Sequence, residues 1–205
     1  MTLNSCSNII LPTAFFGSIK YFAHIAQSDG ISIEIFESFP KQTIRNRCEV
    51  LTSNGIARLT VPVVKCRKKQ LTKEIKISYA ENWQYNHLKT LKTAYNKSPF
   101  FEYYIDELIV FFEKKYDYLI DYNFDITNKI LKILQLNQTI NFTKDYIHNY
   151  PLEIKDFRVF TNELNIENPV YIQVFSNEFK QNLSVLDLIF NVGNEALNHI
   201  KKYKS

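Results

Sequence analysis

The spacing of hydrophobic positions changes along the chain, and each change marks an element. Residues 8–11 (Asn-Ile-Ile-Leu) form a short apolar run broken by Pro12-Thr13, which reads as a buried strand. Over residues 14–27 the spacing is helical. Phe15, Ile19, Phe22 and Ala26 share one face, and Thr13 stands where an N-cap would. Residues 31–36 follow Asp29-Gly30 as a second apolar strand. Strand, helix and strand in this order predict a parallel α/β opening.

Residues 47–52 and 56–64 flank Ser53-Asn54-Gly55. Asn-Gly is a strong hairpin signal, because both turn residues need positive φ. Pro62 cannot donate to a ladder, which puts that strand at an edge. Residues 65–70 read as a basic loop and 74–78 as a short strand. The middle of the chain is helical: residues 81–97, then Phe101, Ile105, Leu108 and Phe112, then Leu119, Tyr122, Ile126, Ile130 and Ile133. Residues 137–168 are weakly patterned and predict one or two short strands. Residues 170–175 read as a better strand, and a last helical region runs from 184 to about 203, broken near Gly193. Together these predict a single α/β domain over residues 1–205. Its expected form is a small mixed sheet with a β-turn-α-β opening and a β-hairpin, packed by several helices.

A chain of 205 residues is of one-domain size and can bury a core without staples. The hydrophobic and charged fractions, 45% and 22%, exclude a disordered chain, a collagen and a coiled coil. Lys outnumbers Arg 20 to 5, and Phe and Tyr number 16 and 13, which reads as coding bias and not as an aromatic surface. The net charge of +4 is spread along the chain; it admits an anionic small molecule and argues against nucleic acid. Cys6, Cys48 and Cys66 have no CxxC spacing and cannot build a disulfide framework. No pair of histidines has metal-ligand spacing, so neither a metal nor another cofactor is expected. Residues 1–7 lack positive charge and no small-residue cleavage site follows, which predicts no signal peptide and a cytoplasmic protein. The longest apolar runs fall far short of the ~18 residues of a transmembrane helix.

Three constellations could carry chemistry. If a strand begins by Arg45, Arg45 and Arg47 project from one face with Cα atoms ~6.6 Å apart, a spacing that could grip a phosphate or carboxylate. On spacing alone an exposed strand face is the more ordinary explanation, but arginine is rare in this chain and two of its five stand here. Trp83 and His87 are four apart on a predicted helix, as a general base beside an indole or as a core-edge histidine. Ser184 and Asp187 have the spacing of a capping box; alternatively Asp187, alone in an apolar run, orients a base or binds an amine. His24, His148 and His199 have no organised neighbours in sequence. Glu34 reads as an outward carboxylate, with Glu37 just after its strand. No dinucleotide fingerprint, Walker loop or serine elbow occurs in the sequence.

An ordered series of blocks carries a resemblance. It runs through Leu11-Pro12, Tyr21-Phe22, Lys41-Gln42-Thr43 with Arg45-Asn46-Arg47-Cys48, Asn54-Gly55, and Leu59-Thr60-Val61-Pro62-Val63. It continues with Trp83 and His87, Tyr95 with Ser98-Pro99-Phe100, Tyr171 with Gln173, and Leu183-Ser184-Val185-Leu186-Asp187 with Phe190-Asn191 and Gly193. The chain resembles the WbqC-like family from about residue 9 to residue 197. That family is linked with bacterial surface-polysaccharide (O-antigen) gene clusters, and glycyl or other acyl transfer onto a sugar has been suggested for it. Many members open with Gln-Pro and a nearby Trp, where this chain has Leu11 and Phe15 or Phe16; its 137–168 segment is also short.

The resemblance implies a group-transfer enzyme with an anionic small molecule or nucleotide-sugar as substrate. Arg45 and Arg47 would hold the donor, with Asn46, Trp83, Gln173 and Asn191 also in the substrate site. His87 would be the base and Asp187 would orient it or bind the acceptor. The alternatives are a non-catalytic binding or assembly protein of the same pathway, and a nucleotide-binding protein that uses the turn at Pro12-Thr13.

Overall fold

The computed structural model describes residues 8–65, 68–159, 168–175 and 178–203. Strands β1 (Asn8–Pro12) and β2 (Ile31–Glu34) pair in parallel, with Ile9 opposite Ile31 and Pro12 opposite Glu34. Strands β5 (Ile140–Phe142) and β6 (Ile154–Asp156), both from the weakly patterned stretch, add parallel edges in the order β5-β2-β1-β6. β1 is interior and covered on both faces, which is why it reads as an unbroken apolar run. The β3 (Arg47–Thr52) and β4 (Gly55–Thr60) hairpin is a separate antiparallel sheet. The architecture is therefore mixed α/β as expected, with parallel and antiparallel strands in two sheets. In the turn, Gly55 alone of the Asn-Gly pair carries the positive φ, +100°.

Helix α1 (Ile19–Ala26) starts later than the apolar spacing suggests. Ser18 is its N-cap, with Oγ accepting from the Tyr21 N–H. Residues 14–17 form a buried bend instead, because Phe15 and Phe16 both enter the core, stacked on Tyr122 and on Phe112. Thr13 does not cap a helix; its hydroxyl accepts from Asn123 Nδ2 at 3.1 Å. With Thr13, Phe15 and Phe16 sealed from water, this turn does not offer the phosphate-binding loop of a nucleotide site.

Helix α2 (Trp83–Tyr95) lies within its predicted span. The next predicted helix is two pieces, α3 (Phe101–Leu108) and α4 (Val110–Glu113), and α5 (Leu119–Ile133) follows. Residues 74–78 do not form a strand. A 3-10 turn at Thr72–Glu74 and isolated bridges, Val63 to Ile77 and Lys76 to Tyr118, take their place. Residues 170–175 are not a strand either. The alternation there is real, with Val170 and Ile172 outward and Gln173 buried, but the segment is held through side chains. Helix α6 (Val185–Val192) ends at Gly193, where φ is +57° and a Cβ would stand 2.6 Å from the Phe100 ring, and α7 (Ala196–Lys202) follows. One apolar core joins the sheet, the hairpin and the helices. No helix among the described residues is long and apolar enough to cross a membrane.

Candidate functional site

All four strands of the parallel sheet run the same way, so their carboxyl ends share one edge. The chain steps outward from β1 to β2 to β5, then returns to place β6 on the far side of β1. That reversal is a topological switch point, and ligands of open parallel sheets bind outside the carboxyl ends there. A cleft of about 920 Å³ opens at this edge, lined by Glu37, Arg45, Lys69, Tyr146, Asp156 and Arg158, with His148 also on its wall.

Buried ions build the floor of the cleft. Arg45 Nε donates to Glu37 Oε1 at 2.5 Å and Nη2 to Oε2 at 2.7 Å, a bidentate fork 4% exposed at the arginine. Arg45 Nη2 also donates to the Arg158 carbonyl at 3.1 Å, which ties the loop after β6 to the turn before β3. Burial pushes the Glu37 carboxyl up from its ordinary value, and the Arg45 hydrogen bonds and charge work against that rise. Glu34, at the end of β2, is fully buried and not outward. Its Oε1 accepts from the Phe36 N–H and the Thr143 hydroxyl, while Oε2 faces Arg158 Nη1 at 3.6 Å. Arg158 is anchored on Asp156 by Nε and Nη2 and donates to the carbonyls of Ile147 and His148. Its guanidinium also lies over Tyr146, 4.7 Å from the ring centroid. Burial would raise the Asp156 carboxyl, but the Arg158 hydrogen bonds and charge outweigh it and hold Asp156 below its ordinary value.

The residues singled out in the sequence fall into separate places. Arg45 sits in a turn and not on β3, so its side chain does not share a strand face with that of Arg47. Arg45 lines the cleft, while Arg47 lines a second cavity beside Ser184. Asn46 donates Nδ2 to the Val61 carbonyl at 3.0 Å and closes the base of the hairpin. Trp83 is buried, with Nε1 donating to the Ser78 carbonyl. His87 is 7% exposed, between Phe15 and Trp83, with centroids 5.8 and 5.2 Å away. Burial pushes its imidazole down to about 4, against a hydrogen bond to the Thr60 backbone that works the other way.

Asp187 lies apart from His87. Its Oδ1 accepts from Tyr95 at 2.7 Å, and its Oδ2 from Tyr171 at 2.5 Å and Gln173 Nε2 at 2.9 Å. It therefore does not orient His87, and its side chain does not complete the capping box; Ser184 alone caps α6, accepting from the Leu186 N–H. Burial raises the Asp187 carboxyl, and its three donors oppose the rise. Gln173 also exchanges hydrogen bonds with Lys180, and Asn191 bonds the Asp187 carbonyl and the Ser98 hydroxyl. These hydrogen bonds tie α2, α6 and residues 171–180 to one another.

Glu37, Tyr146, His148, Asp156 and Arg158 are the cleft residues that sequence reasoning underrated. One signal was available: arginine is rare in this chain, and the rarity that drew attention to Arg45 applies equally to Arg158. Its partner Asp156 stands two residues before it.

Two outcomes follow from these contacts. Arg45→Met, which leaves Glu37 buried and alone, should cost about 3–5 kcal/mol in urea unfolding. Arg45→Met with Glu37→Leu should cost less than Arg45→Met alone; equal or additive losses would show that the pair is not a unit. The second outcome is in pH. With the folded imidazole at about 4 against an ordinary 6.5, His87 takes up a proton more readily unfolded than folded. Its share of stability is whole above 6.5 and lost as pH falls toward 4. Between pH 7.5 and 5, His87→Gln should therefore lose about 2 kcal/mol less stability than the parent protein. Parallel profiles would place His87 outside the core.

The family model described as the WbqC-like protein family matches residues 13–156 and 143–199, which takes in every strand after β1, the hairpin, the cleft and the Asp187 cluster. No curated protein and no solved structure matches the chain. With the match extending over most of its length, the chain belongs to the WbqC-like protein family.

Proposed function

We propose that this protein is a group-transfer enzyme of bacterial surface-polysaccharide (O-antigen) synthesis, and that the sugar substrate lies in the carboxyl-edge cleft. The family points to the pathway. The observation that carries the site is the meeting of fixed ionic groups and aromatic rings at the switch point of a parallel sheet. Phe36 and Tyr146, each with a cation over one ring face, line the cleft with apolar surface for a sugar ring, and the Glu37–Arg45 pair offers oriented polar atoms to its hydroxyl groups. Arg45 Nη1 makes one long bond, 3.3 Å to the Thr43 hydroxyl, and keeps donor capacity for a ligand oxygen. Lys69 on the wall supplies positive charge for a phosphate of an activated donor. His148, an exposed imidazole on the same wall, is the base that takes the acceptor proton. In this reading His87 and Asp187 support the site through the fold and do not touch substrate.

The test is a thermal-shift panel of free sugars, amino sugars and nucleotide-sugars, on the parent protein, Tyr146→Ala and His148→Gln. A member of the panel should raise the melting temperature of the parent protein and of His148→Gln, with the rise lost in Tyr146→Ala. Mass spectrometry of the reaction mixture should then show a transferred group, formed at least ~100-fold more slowly by His148→Gln. No shift, or one that Tyr146→Ala leaves intact, would sink the cleft assignment. A shift without any product would return the protein to a binding role in the same pathway.

A further inference from the structure

The parent chain has four arginines among its described residues, and three are ion-paired: Arg45 with Glu37, Arg58 with Glu49, and Arg158 with Asp156. Arg47 is the exception. It is half-buried, forms no ion pair among the described residues, and its Nε is sealed from solvent with no hydrogen-bond partner there. A guanidinium that has given up part of its hydration without gaining an acceptor is unfavourable, so its surroundings need a separate explanation.

Those surroundings form a cavity of about 400 Å³, distinct from the cleft. Arg47 lines it together with Ser18 and Ser184, the N-caps of α1 and α6. Lining residues Phe16, Gln42 and Asn182 have φ values of +40°, +62° and +54°, and so hold unfavourable backbone conformations around one cavity. The charged side chains facing it besides Arg47 are Glu49 and Arg58, and these neutralise each other at 2.8 Å on the rim. The uncompensated charge in the cavity is therefore that of Arg47.

We propose that this cavity is a second binding site, which takes one small oxyanion, a phosphate or a carboxylate, on the Arg47 guanidinium. The two Nη atoms, which are not sealed as Nε is, match either group end-on through two parallel N–H donors. Thr43 and Ile44 line both this cavity and the cleft, so the turn before β3 is the wall between them. The site stands on Arg47 and its cavity and does not depend on what the cleft binds.

The experiment is a titration of ¹⁵N-labelled protein with inorganic phosphate and, separately, with sodium acetate, both at constant ionic strength against chloride. The Arg47 Nε–H signal is assigned by its loss in Arg47→Gln. The expected result is a saturable shift of that signal with phosphate, with acetate or with both, and the arm that saturates names the anion. Melting temperatures give a second readout. The parent protein should gain stability with the same anion, and Arg47→Gln should lose that gain while melting no lower than the parent in its absence. An Arg47 signal that moves only as chloride moves it would overturn the proposal. So would an Arg47→Gln protein that melts well below the parent without any anion, because Arg47 would then be a structural residue. Failure of the cleft reading would appear elsewhere, in Tyr146→Ala, and the two results remain separable.

Discussion

A carboxylate withdrawn from water must be given donors, and among the described residues three are buried: Glu34, Glu37 and Asp187. Their donors reach across elements, from Thr143 to Glu34, from the turn before β3 to Glu37 and from three residues to Asp187, and much of the architecture follows from that demand. Asp187 on α6 takes hydroxyls from Tyr95 on α2 and from Tyr171, and an amide from Gln173. Tyr95 in turn accepts the Leu51 N–H of β3 at 3.1 Å, so one carboxylate links two helices, the hairpin and a segment that has no ladder of its own. Glu37 does the corresponding work at the sheet edge. It fixes Arg45, whose carbonyl accepts from Asn123 on α5 and whose guanidinium reaches the Arg158 carbonyl.

These buried ions explain why a cleft with defined walls stands where loops would otherwise be loose. The loops after β2 and β6 are stapled to the turn before β3 through Glu37, Arg45 and Arg158. Glu34 backs Arg158 from inside the sheet edge. A ligand would meet polar groups that are already oriented, so little ordering remains to be done on binding. The same turn separates the cleft from the Arg47 cavity, and so the two arginines, two residues apart in sequence, serve different spaces.

Where the sequence pattern reflects burial, it was legible. The parallel opening, the hairpin, α2, α5 and the break at Gly193 follow from spacing and turn chemistry. Patterns failed where side chains replaced ladders. The stretch around Tyr171 alternates as a strand does, yet its inward groups serve a carboxylate and not a core sheet. The delayed start of α1 was illegible because two adjacent phenylalanines both enter the core, which helical spacing does not anticipate. For the site, the polar residues were found but their grouping was not. Trp83, His87, Asp187, Gln173 and Asn191 are all buried, and a core and a catalytic site ask for the same residue types at such positions. Asp156 and Arg158 lay in the least patterned stretch, where only their long-range partners reveal their role.

The central claim is that the sugar substrate meets the carboxyl edge of the parallel sheet and not the buried groups Trp83, His87, Asp187 and Asn191. Backbone amide NMR with an amino sugar and a nucleotide-sugar added in turn tests it most directly. The account predicts saturable shifts concentrated at residues 36–45 and 146–158, with Trp83, His87, Asp187 and Asn191 unmoved. Shifts centred on those four residues, with the sheet edge silent, would contradict it.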